Sequence, residues 1–234
     1  MASARRSRTA VLALASAVLL SGCMSTVAGR AVRASNAAPT DVPPLSEAAL
    51  DGVLLSIGEL NGIMGATQMT VTSEMQEMTD HSADLADTAC LGAVYGAEEP
   101  VYAGSGWTAV RDQVAREPFD GNEHWVEQTA VLYPSAAQAS GFFDFSRTMW
   151  EQCMSDDIVV DDGEVTFVWT MDAVRTDGAL LTQRSEQQDA DGWACQHALS
   201  ALSNLTVETW ACGYDIGDEA ATIATEMMAN AAQR

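Results

Sequence analysis

Hydrophobic and polar positions alternate with two distinct periods from Leu45 onward, and the changes of period predict the elements. Leu50, Val53 and Leu54 follow Ser46 at helical spacing, predicting a first helix capped by Ser46. Ser56-Ile57-Gly58-Glu59 has the form of a capping box and predicts a second, short helix through Met64. Thr70–Ser73 reads as a strand, and Ser82–Tyr95 as a loop entering a helix around Cys90. Trp107–Arg116 and His124–Leu132 alternate as strands do, with the turn-rich Glu117–Asn122 between them. Pro134-Ser135 opens the longest helix, to about Cys153, with Phe142, Phe145, Met149, Trp150 and Cys153 predicted as one buried stripe. Val159-Val160 and Val165–Trp169 flank Asp162-Gly163, the signature of a two-residue hairpin turn. Ala179–Gln187 is a further strand, and Asp218 caps a final helix of small residues and methionines. Helices at both ends and in the middle, with hairpins between, predict an α+β fold: an antiparallel sheet with flanking helices.

The first 44 residues follow neither period. Arg5, Arg6 and Arg8 precede the uninterrupted apolar run Thr9–Leu20, which is too short to span a bilayer. Leu20-Ser21-Gly22-Cys23 then matches a bacterial lipobox, so residues 1–22 are expected to be a lipoprotein signal peptide. The Cys23 thiol would carry the lipid, and the expected location is the extracytoplasmic face of the cell membrane. Two or more acyl chains anchor stably where one does not. A cysteine placed by chance after an ordinary signal peptide is the competing reading. Arg5-Arg6 lacks the flanking residues usual for twin-arginine export. Residues 23–44, small, polar and proline-bearing, are expected to form a tether, leaving 45–234 as the folded domain.

Charge narrows the partners. The chain has a formal net charge of −22, and its cations are all arginine. Such a surface repels nucleic acid and anionic headgroups, so neither is expected as a partner apart from the membrane held through the lipid. A cationic partner is permitted, although an acidic surface also serves solubility alone.

Cys90, Cys153, Cys195 and Cys212 remain once Cys23 is assigned to lipid, an even number in an exported chain. That predicts two disulfides with three possible pairings. Zinc competes poorly, because no C-x-x-C pair occurs. If Ser203-Asn204 is a two-residue turn, alternation places Cys195 opposite Cys212 as a non-hydrogen-bonded pair. Cα atoms there approach to about 4.5 Å, within disulfide reach. The same register sets His197 against Trp210, and Asn204 would tolerate the positive φ of such a turn.

The run W-x-C-Q-x-A-L-x-x-x-x-N…A-C-G-Y-D at Trp193–Asp215 resembles the close of the PknH-like extracellular domain family, the outer sensor domain of a mycobacterial receptor kinase. W-x-x-C at Trp150–Cys153 and V-Y-A-G-S-G-W at Val101–Trp107 fit the same pattern. The resemblance implies an α+β domain with a cleft and first-to-second, third-to-fourth cysteine pairing. Carried onto this chain, the bridges are Cys90–Cys153 and Cys195–Cys212. The kinase's own activity does not transfer with it.

Candidate chemistry is sparse. The histidines are His81, His124 and His197, and Gly104-Ser105-Gly106 does not complete a nucleophile elbow. Met75, Met78 and His81, with Met69, offer soft ligands for Cu(I), but also suit a core and a loop. Asp156, Asp157, Asp161, Asp162 and Glu164 could hold calcium weakly, without EF-hand order. Asn204-Leu205-Thr206 matches a glycosylation sequon that a turn explains better. Trp107, Trp125, Trp150, Trp169, Trp193 and Trp210 are core residues by default, but in a cleft would suit an apolar or sugar-containing ligand. The expectation is a non-catalytic envelope lipoprotein that binds a small ligand or envelope partner, with no cofactor and no metal. The alternatives are an enzyme of unrecognised type acting in the cleft and an accessory subunit of another envelope protein.

Overall fold

The computed structural model describes residues 42–118, 122–154 and 157–234. The signal peptide, Cys23, most of the tether and Asp156 lie outside the described residues. Among those described, nine strands form one antiparallel sheet: β1 (Thr70–Met75), β2 (Ala109–Arg116), β3 (His124–Leu132), β4 (Asp157–Asp161), β5 (Thr166–Met171), β6 (Arg175–Asp177), β7 (Leu180–Gln187), β8 (Ala194–Leu202) and β9 (Leu205–Gly213). Their spatial order is β1-β2-β3-β9-β8-β7-β5-β4, and β6 pairs with the half of β7 that β5 leaves free. The helices are α1 (Ile57–Met64), α2 (Leu91–Val94), α3 (Glu99–Tyr102), α4 (Ala136–Gln152) and α5 (Glu219–Ala231). None of the described helices is long and apolar enough to cross a membrane.

Alternation along the central strands divides the core in two. Val126, Ala130, Val207 and Ala211 face α1 and α5, whose buried residues include Leu60, Ile223 and Met227. Val110, Val131, Leu181 and Leu199 face α4 and α2, packing with Phe142, Trp150 and Leu91. Small residues Ala220, Ala224 and Ala231 let α5 lie close on the sheet. Both disulfides form as the resemblance implied, Cys90–Cys153 with Cα atoms 5.8 Å apart and Cys195–Cys212 at 4.0 Å.

Several local expectations are corrected. The segment after Ser46 is a 3-10 helix, Glu47–Gly52, and the Ser46 side chain does not cap it. The Ser56/Glu59 capping box is present. On α4 the buried stripe is Ala139, Phe142, Ser146 and Trp150, continued by Cys153, whereas Phe145 is 52% exposed. Phe145 lies about 100° round the helix from the centre of that stripe. Asp162-Gly163 is not a two-residue turn: Asp161 pairs with Thr166, leaving four residues between the strands. Asp162 Oδ1 accepts the N–H groups of Glu164 and Val165, each at 2.8 Å, and so builds the wider loop. β6 escaped the sequence because it is three residues long and exposed throughout. Asp218 precedes α5 but its side chain does not cap it. That role falls to Gln196 of β8, whose Oε1 accepts the Ala221 N–H at 3.0 Å. The β8–β9 turn has its positive φ (52°) at Ser203 and not at Asn204.

Candidate functional site

Directly opposed residues on antiparallel strands point to the same side, so register defines the surface beneath and beyond α4. One row runs Asp112, Thr129, Glu208, Leu199, Leu181 across β2, β3, β9, β8 and β7. The next runs Glu127, Trp210, His197, Gln183. The third runs Arg116, Trp125, Cys212, Cys195, Ser185. The first two rows hold a buried polar seam and the third opens on an aromatic end.

In the seam, Glu208 accepts the Tyr102 hydroxyl at 2.7 Å and meets His197 Nε2 at 2.8 Å. His197 lies between Trp150 and Trp210, with ring centroids 3.8 and 3.9 Å away. Burial holds the imidazole below its ordinary pKa, so it is neutral at physiological pH, with Nε2–H donated to Glu208. Burial, then Glu208, pushes the Tyr102 phenol up. Asp112 accepts the Thr129 hydroxyl at 2.6 Å. Burial raises both Asp112 and Glu127, and Glu127, which also faces Glu208 and Glu98, rises well above the carboxylate range. A protonated Glu127 can donate to Asp112, whose Oδ2 has no other donor among the described residues. Gly96 makes room for this carboxyl, since a Cβ there would come within 2.9 Å of it.

All three histidines are engaged by glutamates. His81 Nδ1 meets the buried Glu98, and that bond raises its pKa. His124 Nδ1 meets Glu117 at 2.7 Å. The Ser105 hydroxyl accepts the Trp107 N–H at 3.4 Å, and His197 is committed to Glu208 behind two tryptophans. No serine–histidine pair is assembled among the described residues.

The soft-ligand set is divided. Met69 belongs to the α5-side core, Met78 packs on the α4-side core, and Met75 lies on the edge strand β1. No group of three or more His, Cys, Asp or Glu that could hold a metal occurs among the described residues. Asp157, Asp161 and Asp162 instead accept local hydrogen bonds from Thr170, Gly163 and the Asp162–Val165 loop. Asn204 is no glycan acceptor: it is 6% exposed and its amide bonds Leu45 and Tyr133.

The tryptophans separate into two groups. Trp150 is core, with Trp107 packed against the same cluster. Trp125, Trp169, Trp193 and Trp210 gather around the Cys195–Cys212 bridge. Trp169 stands opposite Gln187, and Gln187 N–H bonds the Trp193 carbonyl, so these rings form a further row beyond the disulfide. The Trp193 and Tyr214 rings meet edge-on, with centroids 5.2 Å apart. Two grooves open among the described residues. One, of about 350 Å³, runs beside the Cys90–Cys153 bridge between Leu91, Val101, Phe145 and Met149. The other, of about 370 Å³, is polar and lies along Thr170, Asp172, Glu186 and the Gln188–Gly192 loop.

Sequence reasoning missed the acids of the seam. Asp112, Glu127 and Glu208 sit at positions that look like ordinary solvent-facing alternation. The register that places Cys195 against Cys212 also places Glu208 against Leu199, an apolar partner that marks an inward face.

A model of the PknH-like extracellular domain matches residues 45–230. Serine/threonine-protein kinase PknH of Mycobacterium bovis is 34% identical over 185 residues, covering 79% of this chain and 31% of the kinase. PknH of Mycobacterium tuberculosis is likewise 34% identical over 185 residues, with 30% of that kinase covered. The chain therefore spans less than a third of these relatives. The crystal structure of the extracellular domain of PknH from Mycobacterium tuberculosis superposes with a TM-score of 0.79 at 33% identity, covering 82% of this chain and 99% of that one. The chain belongs to the PknH-like extracellular domain family.

Proposed function

We propose that this protein is an extracytoplasmic binding module of the sensor type, anchored through lipid on Cys23, that engages a small ligand or an envelope partner and catalyses nothing itself. The observation that carries the reading is the end-to-end match to a solved extracellular domain, 99% of which is covered. The kinase catalytic domain lies outside the matched region, so the likeness is to the extracellular part of such a kinase. Two disulfides are in keeping with an oxidising compartment. The polar seam supports binding over catalysis, because Glu208 is held by Tyr102 and His197, and Asp112 by Thr129. Net charge argues against nucleic acid as the partner.

Hydrogen exchange of the full chain, with and without a detergent extract of its own envelope, tests this reading. Added protection in β3, β8 and β9 is the expected result. Identical exchange in both samples, or consumption of an extract component by the protein, would count against it.

A further inference from the structure

The aromatic end of the sheet allows the binding role proposed above to be taken further. We propose that Trp125, Trp169, Trp193 and Tyr214 form a platform for a neutral saccharide. The inference rests on that binding role and adds the ligand class.

Three observations meet there. Trp125 of β3, Trp169 of β5 and Trp193 just before β8 pack around one disulfide, Tyr214 just after β9 meets Trp193, and the three tryptophans remain half-buried while Tyr214 is 52% exposed. Large aromatics held partly in solvent by four separate segments offer apolar faces with polar edges, which suits a sugar ring's C–H face and hydroxyls. The support is rigid, since the Cys195–Cys212 bridge and the β8–β9 ladder fix the rings before any ligand arrives.

The adjoining row is polar but closed to solvent. Gln183 Oε1, His197 Nδ1 and Trp210 Nε1 have no hydrogen-bond partner among the described residues. Their residues are 2%, 1% and 5% exposed and stand side by side across β7, β8 and β9. These two acceptors and one donor are enclosed, so a molecule resting on the exposed rings does not reach them.

Chemistry then selects the class. An acyl chain would need an enclosed apolar tunnel, whereas these rings are open to solvent. An extended peptide would pair with an edge strand, and β8 and β9 are central. Nucleobases also stack, but their phosphates meet a chain of net charge −22. The exposed acids Glu123, Asp189, Asp191 and Asp215 in the segments that present the rings likewise disfavour an anionic glycan.

The test titrates the full chain with cellotetraose, chitotetraose and mannotetraose, and with tetragalacturonate as the anionic arm, following tryptophan emission. At least one neutral tetrasaccharide should give a saturable shift in the millimolar range or tighter, and tetragalacturonate none. Tyr214→Ala and Trp193→Ala should each weaken that binding at least about fivefold. Phe145→Ala, in the groove by the other disulfide, should leave it unchanged. Tyr214→Ala removes an exposed ring, and unchanged near-ultraviolet circular dichroism will show that the fold is kept. No saturable shift with any neutral tetrasaccharide, or binding that both ring variants leave intact, overturns the proposal. If envelope extract still protects the sheet from exchange in that event, the saccharide assignment falls and the binding role stands. If neither ligand nor extract acts, both fall.

Discussion

Asn204 ties together three parts of the chain, and its removal is the sharpest test of how the fold is held. Its Oδ1 accepts the Leu45 N–H at 2.7 Å, and its Nδ2 donates to the carbonyls of Leu45 and Tyr133 at 3.1 and 3.0 Å. The side chain thereby joins the start of the domain, the β3–α4 connection and the β8–β9 turn, with only 6% of the residue exposed. Asn204→Ala removes all three bonds and leaves three backbone groups short of a partner. At about 1 kcal/mol for each, the loss is about 3 kcal/mol, and more if no water reaches them. Against a net stability of roughly 5–15 kcal/mol, that is a large fraction. For a domain of this size it lowers Tm by about 6–12 °C. Asn204→Gly separates the two roles the residue could have. Were Asn204 needed for turn conformation, glycine would replace it freely. Because the positive φ belongs to Ser203, glycine at 204 should destabilise at least as much as alanine. Ser203→Gly, by contrast, relieves a left-handed residue and should change little. Urea unfolding followed by tryptophan emission measures all three. A midpoint for Asn204→Gly equal to that of the parent would refute the reasoning.

The two bridges should differ in worth, because Cys90–Cys153 spans 63 residues and Cys195–Cys212 spans 17. Chain entropy assigns them about 4.3 and 3.1 kcal/mol, so the Cys90→Ala/Cys153→Ala pair should melt lower than Cys195→Ala/Cys212→Ala; equal melting temperatures would contradict the ranking. Glu127, raised by burial and by Asp112, Glu208 and Glu98, keeps its proton in the folded state, so its contribution to stability is fully present below the unfolded carboxylate pKa of about 4.3 and declines as pH rises through the folded value. Glu127→Gln should therefore match the parent near pH 4 and be the more stable at pH 8, and unfolding curves with a constant difference across that range would oppose this. His197 has the opposite sign: its lowered pKa contributes stability above about pH 6.5 that is lost on acidification, and His197→Gln should weaken the acid dependence between pH 6.5 and 5. Cys23→Ala should yield protein without an acyl modification in intact mass spectra, released from the membrane or left uncleaved, and an unchanged mature N-terminus with continued membrane retention would argue against the anchor.

Much of the architecture was legible because local signals and tertiary demands coincide. β3 begins and ends where alternation places it, at His124 and Leu132, and the Ser56/Glu59 box starts α1 where it is written. The opposition of Cys195 and Cys212 followed from turn register, because a two-residue turn fixes every opposition above it, and the family resemblance implied the bridge between them. What failed were assignments in which a residue type was matched to a local role. Asn204 and Asp218 look like turn and cap residues, yet the first bonds distant carbonyls and the second leaves the helix start to Gln196. Phe145 was placed inside on hydrophobicity, although the helix turns it away from the sheet. The candidate site was least legible. Alternation says which residues share a face but not which face a helix covers. Glu127 and Glu208 therefore read as solvated acids until the segment carrying Gly96 and Tyr102 is laid over them. Tryptophan spacing in sequence carried no hint that four separate segments would bring four indoles to one disulfide.

Native mass spectrometry of the protein purified from its own envelope in mild detergent tests the central claim most directly. The account predicts a population heavier than the lipidated chain by one small, non-covalent molecule that is lost on denaturation and depleted by Tyr214→Ala. A mass equal to the lipidated chain alone, in preparations whose sheet is also indifferent to envelope extract, would contradict it.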